Sequence, residues 1–356
     1  MENRRGESGE MEQEWQKILK KSITTVKELA DRFPDVPGGL HEVAAKYPVK
    51  INPYYLSLMK THDDPVALQA VPSAEELGGV HGHEDPLAEL HLSCVDNLIH
   101  RYPDRVVLLA SRDCAVYCRF CMRKRNTGRT GGLTPNSFKD AVAYIREDHR
   151  IKEVILSGGD PFLLADDRIE HLLSEIRRIA HVGMIRIHSR VMCTLPQRIT
   201  QALAGILAKY HPVCVNTHFN HPAELTAQAE KSLKILAGNG IMLGCQTVLL
   251  KGVNNDPKVL ENLFRKLVCA GVRPYYLHHP DLVKGTGHFY CSLDQGISIM
   301  NSLRGFISGM CIPDYVVDLP GGAGKVSALP SRLCGADEKE YVFENHKGSL
   351  IRYPCL

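Results

Sequence analysis

From residue 105 onward the chain keeps one rhythm, and that rhythm restricts the fold more than any other feature. Short apolar runs at 106–110, 154–156, 184–187, 213–216, 242–248 and 274–277 each end in polar, Gly-rich or charged segments, and a seventh run follows at 315–317. Stretches with helical spacing separate them at 135–148, 168–179, 200–209, 224–237 and 258–269, and Gly238, Gly240 and Gly271 supply stops. Strands alternating with helices imply parallel βα units and an α/β fold. Six such units in a row suggest a barrel or part of one, with an open doubly wound sheet as the alternative. The 356 residues leave room for extensions beyond a barrel, which takes roughly 250 residues.

The preceding hundred residues read differently. Trp15, Ile18, Leu19, Ile23, Val26 and Leu29 form a helical stripe, with N-cap residues around Ser22 to Thr25 opening a second run. Pro53 opens another short helix, and 65–91 is an irregular connector rich in Pro, Gly, Asp, Glu and His. The expected organisation is a mostly helical extension over 1–100, the α/β unit over 101–320, and a short C-terminal segment over 321–356.

Charge and hydropathy exclude several classes. Lys and Arg number 43 against 40 Asp and Glu, so no basic field points to nucleic acid. No apolar run reaches the length of about 18 residues that crosses a membrane. Met1 to Glu14 is polar and charged, without the apolar core of a secretory signal, so the cytoplasm is the expected compartment. Twelve cysteines there argue for metal or redox chemistry before disulfides. Nine of them are scattered singly, and for each a small buried hydrophobe is the expectation.

The other three stand together. In R-D-C-A-V-Y-C-R-F-C-M-R-K-R, Cys114, Cys118 and Cys121 have C-x3-C-x2-C spacing and are followed by Arg123, Lys124 and Arg125. Each iron of a 4Fe–4S cube is normally held by one thiolate. Three thiolates hold three corners and leave the fourth iron open to a non-protein ligand. Unpaired core cysteines, or part of a zinc site lacking its fourth ligand, fit the same spacing. The triplet follows the first strand of the α/β unit, and the other strands also end in polar groups. They are Ser157-Gly158-Gly159-Asp160, His188-Ser189-Arg190, Asn216 to His221, Gln246, and His278-His279-Pro280-Asp281. In barrel enzymes chemistry sits at the C-terminal ends of the strands, so these groups are expected on one rim. The glycines at 158 and 159 would let a ligand approach the backbone, with Asp160 accepting from an ammonium group. Pro320-Gly-Gly-Ala-Gly-Lys325 fails the phosphate-loop pattern, because Leu319 and Val326 occupy required positions. Lys325 could instead form a Schiff base, or be a solvated turn lysine. His218 and His221 lack a third metal ligand and are read as hydrogen-bonding groups. Asp281 and Asp318 in one pocket would select a cation.

Taken together, these stretches resemble the lysine 2,3-aminomutases of the radical S-adenosylmethionine superfamily, over about 15–330. The carrying motifs are H-R-Y-P-D-R from His100, the C-x3-C-R-x-C-x-R-x-R block, L-S-G-G-D ending at Asp160, and L-P-Q-R-I-T from Leu195. N-T-H-F-N-H-P from Asn216, L-L-K-G-V-N from Leu249, R-P-Y-Y from Arg273 and V-V-D-x-P-G-G-x-G-K ending at Lys325 complete them. The resemblance implies a partial (β/α)6 barrel with a 4Fe–4S cluster on Cys114, Cys118 and Cys121 and S-adenosylmethionine on the open iron. It places Ser157, Gly158, Gly159, Asp160, His218 and Gln246 around S-adenosylmethionine. Lys325 matches the lysine that holds pyridoxal 5′-phosphate, and Arg105 matches a group around that cofactor, with Arg101 and Tyr102 near it. Arg123 matches the partner of the substrate carboxylate, and Asp281 and Asp318 match the pair that binds a distal ammonium.

The implied reaction moves the α-amino group of L-lysine to the β-carbon, with a flavodoxin or ferredoxin as electron donor and a homo-oligomer as the assembly. Alternatives are the same chemistry on arginine, glutamate or a protein-bound lysine of a translation elongation factor, or a non-enzymatic iron–sulfur electron carrier. Longer relatives complete a structural zinc site between subunits. Here only Cys355 lies at the end, and Asp256-Pro257 stands where a partner cysteine is expected, so zinc is not expected. Tyr290-Cys291 after His288-Phe289, and His278-His279-Pro280 before Asp281, also depart from the family pattern.

Overall fold

The computed structural model describes residues 13–78, 82–129, 131–336 and 340–354. Ten strands form one sheet in chain order: β1 (Ser93–Val95), β2 (Leu98–Tyr102), β3 (Arg105–Ser111), β4 (Glu153–Gly158), β5 (Met184–His188), β6 (Val213–His218), β7 (Met242–Val248), β8 (Arg273–His278), β9 (Asp314–Leu319) and β10 (Gly324–Ser327). Strands β3 to β9 run parallel. Antiparallel pairs extend both edges, β1–β2 before β3 and β10 after β9. No ladder joins β1 to β10, so the sheet curls into a partial barrel.

Alternation along the strands decides what faces inward. On β5, Ile185 and Ile187 are fully buried against the helices, while Arg186 and His188 line the interior. The helices Pro135–Glu147, Asp166–Arg177, Gln201–Ala208, Ala227–Gly238 and Pro257–Cys269 connect successive strands. Thr134, Thr200, Thr226 and Asp256 cap four of them by accepting from backbone N–H groups of the first turn. Each lays one stripe on the sheet. In Pro135–Glu147 it is Phe138, Ala141, Val142 and Ile145, at the spacing of one helix face.

Two stretches differ from the sequence reading. The last ten residues of the supposedly helical 1–100 extension include β1 and most of β2. Leu98 and Ile99, both buried, pair with Leu108 and Val107, which extends the sheet by an antiparallel hairpin. At the other end, β11 (Leu333–Ala336), β12 (Glu340–Glu344) and β13 (Leu350–Pro354) form a separate antiparallel sheet. Cys355 lies outside the described residues.

The stripe from Trp15 is split into helices Glu14–Lys20 and Val26–Arg32. Thr25 and Glu28 form a reciprocal capping box that starts the second. The extension then packs under the cysteine loop. Ile51 bridges to Val116, Gln69 accepts the Arg119 N–H at 2.8 Å, and Lys50 holds Asp113 at 2.8 Å. Glu76, fully buried, binds Arg119 through two N–H groups and Lys124 through its ammonium, both at 2.5 Å at the closest atom.

Burial alone would raise the Glu76 carboxyl, but Arg119 and Lys124 hold it below its ordinary value of 4.5. Its stabilisation is therefore present above about pH 4.5 and lost as the pH falls through the lower folded value. Glu76→Ala leaves two buried cations without their anion. It is expected to cost about 3–5 kcal/mol, measured by denaturant unfolding of the full chain.

Candidate active site

The strand ends and the loops after them enclose a cavity of about 770 Å³, within the size range of small-ligand sites. Cys114, Cys118 and Cys121 line one part of it and Lys325 another.

The cysteine loop follows β3. Burial raises the Cys114 thiol well above its usual range, with Asp160, Cys121 and Cys118 adding to the effect. Burial and Cys118 likewise raise Cys121. Three thiols crowded in a cavity wall resist ionising together unless a cation joins them. Among the described residues no three His, Cys, Asp or Glu side chains converge on a point that would hold one metal ion. Thiolates that each bind a different corner of a cluster need no such convergence. Arg190, nearly buried, donates to Cys118 Sγ at 2.8 Å and to Gln69 and Glu224 at 2.6 and 2.8 Å. This arginine places a fixed positive charge on the triplet. The donor set, the surplus of thiols over cations and Arg190 fit an iron–sulfur cluster.

The S-G-G-D segment lines the cavity and also packs against the cysteine loop. A Cβ on Gly158 would lie 2.2 Å from Ser111 O, and one on Gly159 would lie 2.3 Å from Asp113 O. The glycines therefore let the end of β4 close against the start of the cysteine loop, where Gly159 and Asp160 donate to Ser111 O and Asp113 O at 2.6 and 2.7 Å. The Asp160 carboxylate already has three donors. It is buried, and it accepts from Ser189 Oγ and Arg190 N at 2.7 Å each and from Phe162 N at 3.1 Å. Ser157 accepts from Arg123 at 3.1 Å. His218 bonds Asn220 at 2.9 Å, and burial holds it neutral; Gln246, its register partner on β7, lines the cavity beside it. His221 faces away and caps the turn at Ala223.

The hairpin of β9 and β10 pairs Lys325 with Asp318 across the ladder. Gly321, Gly322 and Gly324 all have positive φ in the turn, and Gly322 packs against the 87–92 segment so closely that a Cβ would lie 2.6 Å from Leu92. The turn is thus held against the protein, and Lys325 is not solvated. Its ammonium is bonded to Asp318 and lies 3.3 Å from His278 Nδ1. Burial lowers its pKa, with Asp318 resisting. Tyr102 OH accepts the Lys325 N–H at 2.8 Å, and Arg105 stacks on the Tyr102 ring at 4.0 Å. An amine of lowered pKa flanked by Tyr102, Arg105 and Arg101 fits a lysine-bound aldehyde cofactor carrying an anionic group.

The two aspartates differ sharply. Asp318 binds Arg101 at 3.0 and 3.2 Å as well as Lys325, and although burial would raise it, His278 and Lys325 hold it well below the usual carboxylate range. Asp281 lines the cavity with no hydrogen bond from its carboxylate to a described residue. Burial, reinforced by Asp318, pushes it up to about 7. Arg123 is engaged by Glu89 at 2.6 to 3.0 Å through Nε and NH2. Sequence reasoning placed Arg190 and His278 on the rim without their contacts to Cys118 and Lys325, and it missed Glu89. Glu89 lies 34 residues from its partner in an irregular segment, so no periodicity marks it. Of the nine lone cysteines, Cys193, Cys245, Cys291 and Cys311 are buried and Cys214 is half-buried, but Cys94, Cys269 and Cys334 are exposed.

Known proteins resemble this chain over most of its length. Residues 108–259 match the model of the radical SAM superfamily, and 300–355 match a model described as lysine-2,3-aminomutase. The L-lysine 2,3-aminomutase of Clostridium subterminale is 42% identical over 96% of this chain and 83% of its own length. That of Methanococcus maripaludis is 44% identical over 86% of this chain and 72% of its own. The glutamate 2,3-aminomutase of Clostridioides difficile is 40% identical over 88% of this chain and 75% of its own.

A raised carboxyl such as Asp281 detracts from stability when ionised. The penalty is absent at pH below its ordinary value of 3.8, grows as the pH rises, and is complete above about 7. Asp281→Asn is expected to stabilise the ligand-free protein by about 1 kcal/mol at pH 8 and by nothing at pH 4. Thermal unfolding at the two pH values measures the difference.

Proposed function

The chain belongs to the lysine 2,3-aminomutase family of radical S-adenosylmethionine enzymes, and we propose that it moves the α-amino group of L-lysine to the β-carbon, giving L-β-lysine. The observation that supports lysine is Asp281, a carboxylate without a hydrogen-bond partner among the described residues, in the cavity that also holds the cysteine triplet and Lys325. Cys114, Cys118 and Cys121 would hold the 4Fe–4S cluster, with S-adenosylmethionine beside Ser157, His218 and Gln246. Lys325 would carry pyridoxal 5′-phosphate, with Arg101, Tyr102 and Arg105 around it. When bound, these groups supply one-electron chemistry and a conjugated ring over which an unpaired electron can spread.

The protein's own residues position and select. Asp160 fixes the Ser189–Arg190 turn, and Arg190 in turn anchors Cys118. Glu89 and Ser157 hold the Arg123 guanidinium from two sides, so that it can present a fixed donor to the substrate carboxylate. Asp281 meets a distal ammonium with opposite charge. A glutamate side chain would meet it with like charge, which disfavours glutamate despite the relative that acts on it. The same reading includes a flavodoxin- or ferredoxin-type electron donor and a cytoplasmic location. Among the described residues no helix is long and apolar enough to cross a membrane.

Assembly as a homo-oligomer would use the C-terminal sheet. Tyr341, Phe343, Ile351 and Tyr353 are exposed, and register pairs them side by side on one face. Its outer strands β11 and β13 are both unpaired edges, and a second copy of the same surface completes such an arrangement. Phe343→Glu is expected to shift the protein to monomer in light scattering.

Anaerobically reconstituted enzyme with S-adenosylmethionine, pyridoxal phosphate and dithionite is expected to form β-lysine and no β-glutamate. Lys325→Ala should abolish product. Asp281→Asn should raise KM for lysine by about 10- to 100-fold, the range of one hydrogen bond to a charged group. Lysine binding to the wild type should weaken as the pH drops below about 7, and this dependence should vanish in Asp281→Asn. Product from glutamate but none from lysine would sink the assignment.

A further inference from the structure

We propose that His278 is a catalytic base for Lys325, accepting the proton that the lysine ammonium must lose before its amine can bond to the aldehyde carbon of pyridoxal phosphate. The inference rests on the reading of Lys325 as the cofactor lysine and adds a residue to it.

His278 ends β8, beside Val316 of β9 in the ladder, and so faces the β9–β10 hairpin. Its Nδ1 lies 3.3 Å from Lys325 Nζ and 3.4 Å from Asp318 Oδ2. Nζ has two polar neighbours among the described residues, this imidazole and Asp318. The charged and titratable groups facing this corner are Arg101 on β2, His188 on β5, Tyr276 on β8, Asp281 beyond it, Asp318 on β9 and Lys325 itself.

Of these, Asp318 is the nearest carboxylate but a poor proton acceptor. Arg101 and Lys325 both stabilise its ionised form. Asp281 makes no hydrogen bond to Nζ, and Tyr276 presents its ring face at 5.1 Å. His278 is half-buried, and desolvation together with the Lys325 charge lowers its pKa, so it is a free base at neutral pH. A second observation concerns the other ring nitrogen. His278 Nε2 is buried with no hydrogen-bond partner among the described residues. With Nδ1 accepting from the ammonium, the ring proton is on Nε2, which leaves this N–H open to a ligand oxygen.

The step balances without any further reactant. Lys325 gives one proton to Nδ1 and the free amine forms a C–N bond to the aldehyde carbon. A second proton passes from the nitrogen to the former carbonyl oxygen, the imidazolium returns the first as the C–O bond breaks, and water leaves. Asp318 holds the ammonium in place until transfer and balances the charge on His278 afterwards.

The test is cofactor uptake by the full chain stripped of pyridoxal phosphate, followed by the absorbance of the added cofactor, with borohydride trapping and peptide mass to locate the adduct. His278→Gln, which keeps a hydrogen-bonding side chain but no base, is expected to slow uptake at pH 7 by about 100-fold. Its rate profile should move to higher pH, while final occupancy stays close to wild type. In His278→Gly, imidazole in the buffer should restore the rate. Uptake by His278→Gln at the wild-type rate, or slow uptake in His278→Gly that imidazole leaves unchanged, overturns the proposal. Wild-type protein with no adduct on Lys325 would instead overturn the cofactor reading on which it rests.

Discussion

The buried cluster of Glu76 with Arg119 and Lys124 is the contact on which the site depends. Arg119 lies between Cys118 and Cys121, and Lys124 three residues beyond the triplet, so both cations belong to the loop that must hold three thiols in place. Glu76 comes from the N-terminal extension, and Lys124 also bonds Gly285 O at 2.9 Å, which brings in the loop after β8. One carboxylate thus ties three segments that are far apart in sequence. Two cations against one anion would be unfavourable in a dry interior. Here the surplus charge is shared with carbonyl oxygens of Tyr47, Pro48, Arg119 and Gly285. The helical extension therefore forms the floor beneath the cysteine loop.

The parallel sheet contributes direction. Because β3 to β8 point the same way, their ends deliver the cysteine loop, Ser157, His188, His218, Gln246 and His278 to one rim. A closed barrel of this size would fill its interior with apolar side chains. This one stays open between β1 and β10, and Arg186, His188, Tyr276 and His278 face the space instead. Exposed polar groups on a strand face are tolerable only where water or a ligand can reach them. The cavity and the incomplete barrel are one structural fact.

Much of this was legible in sequence. Apolar runs three to seven residues long placed the parallel strands within a residue or two, because every strand lays one apolar face against the helices. The triplet was visible because cluster ligands from one loop are close in sequence. The packing role of the S-G-G-D glycines was not legible, since backbone packing against Ser111 and Asp113 and backbone contact with a ligand call for the same residue. Partners of buried charges were invisible for a different reason. Glu76 meets Arg119 across 43 residues and Arg190 meets Cys118 across 72, and no local pattern encodes such pairs. The C-terminal sheet was missed because its strands are exposed and short, and because Arg352, Glu340 and Glu344 interrupt the apolar alternation.

The charge balance around Asp318 links two events that sequence reasoning had kept apart. In the ligand-free protein its oxygens are divided, Oδ1 to Arg101 and Oδ2 to Lys325. A substrate ammonium cannot gain full value from Asp318 while Lys325 holds Oδ2, whereas Asp281 is open from the start. Once Lys325 is drawn into a covalent bond and no longer sits on Asp318 as an ammonium, Oδ2 is left one cation short beside a second carboxylate. Two carboxylates facing one cavity then repel each other, and a cation placed between them relieves both the repulsion and the burial penalty on Asp281. If Lys325 carries the cofactor as proposed, its occupation would convert the aspartate pair from a site half closed by the protein's own lysine into one that favours an incoming ammonium. Cofactor before substrate is the binding order that this exchange of cations would impose, with His278 Nδ1 in contact with both Lys325 and Asp318.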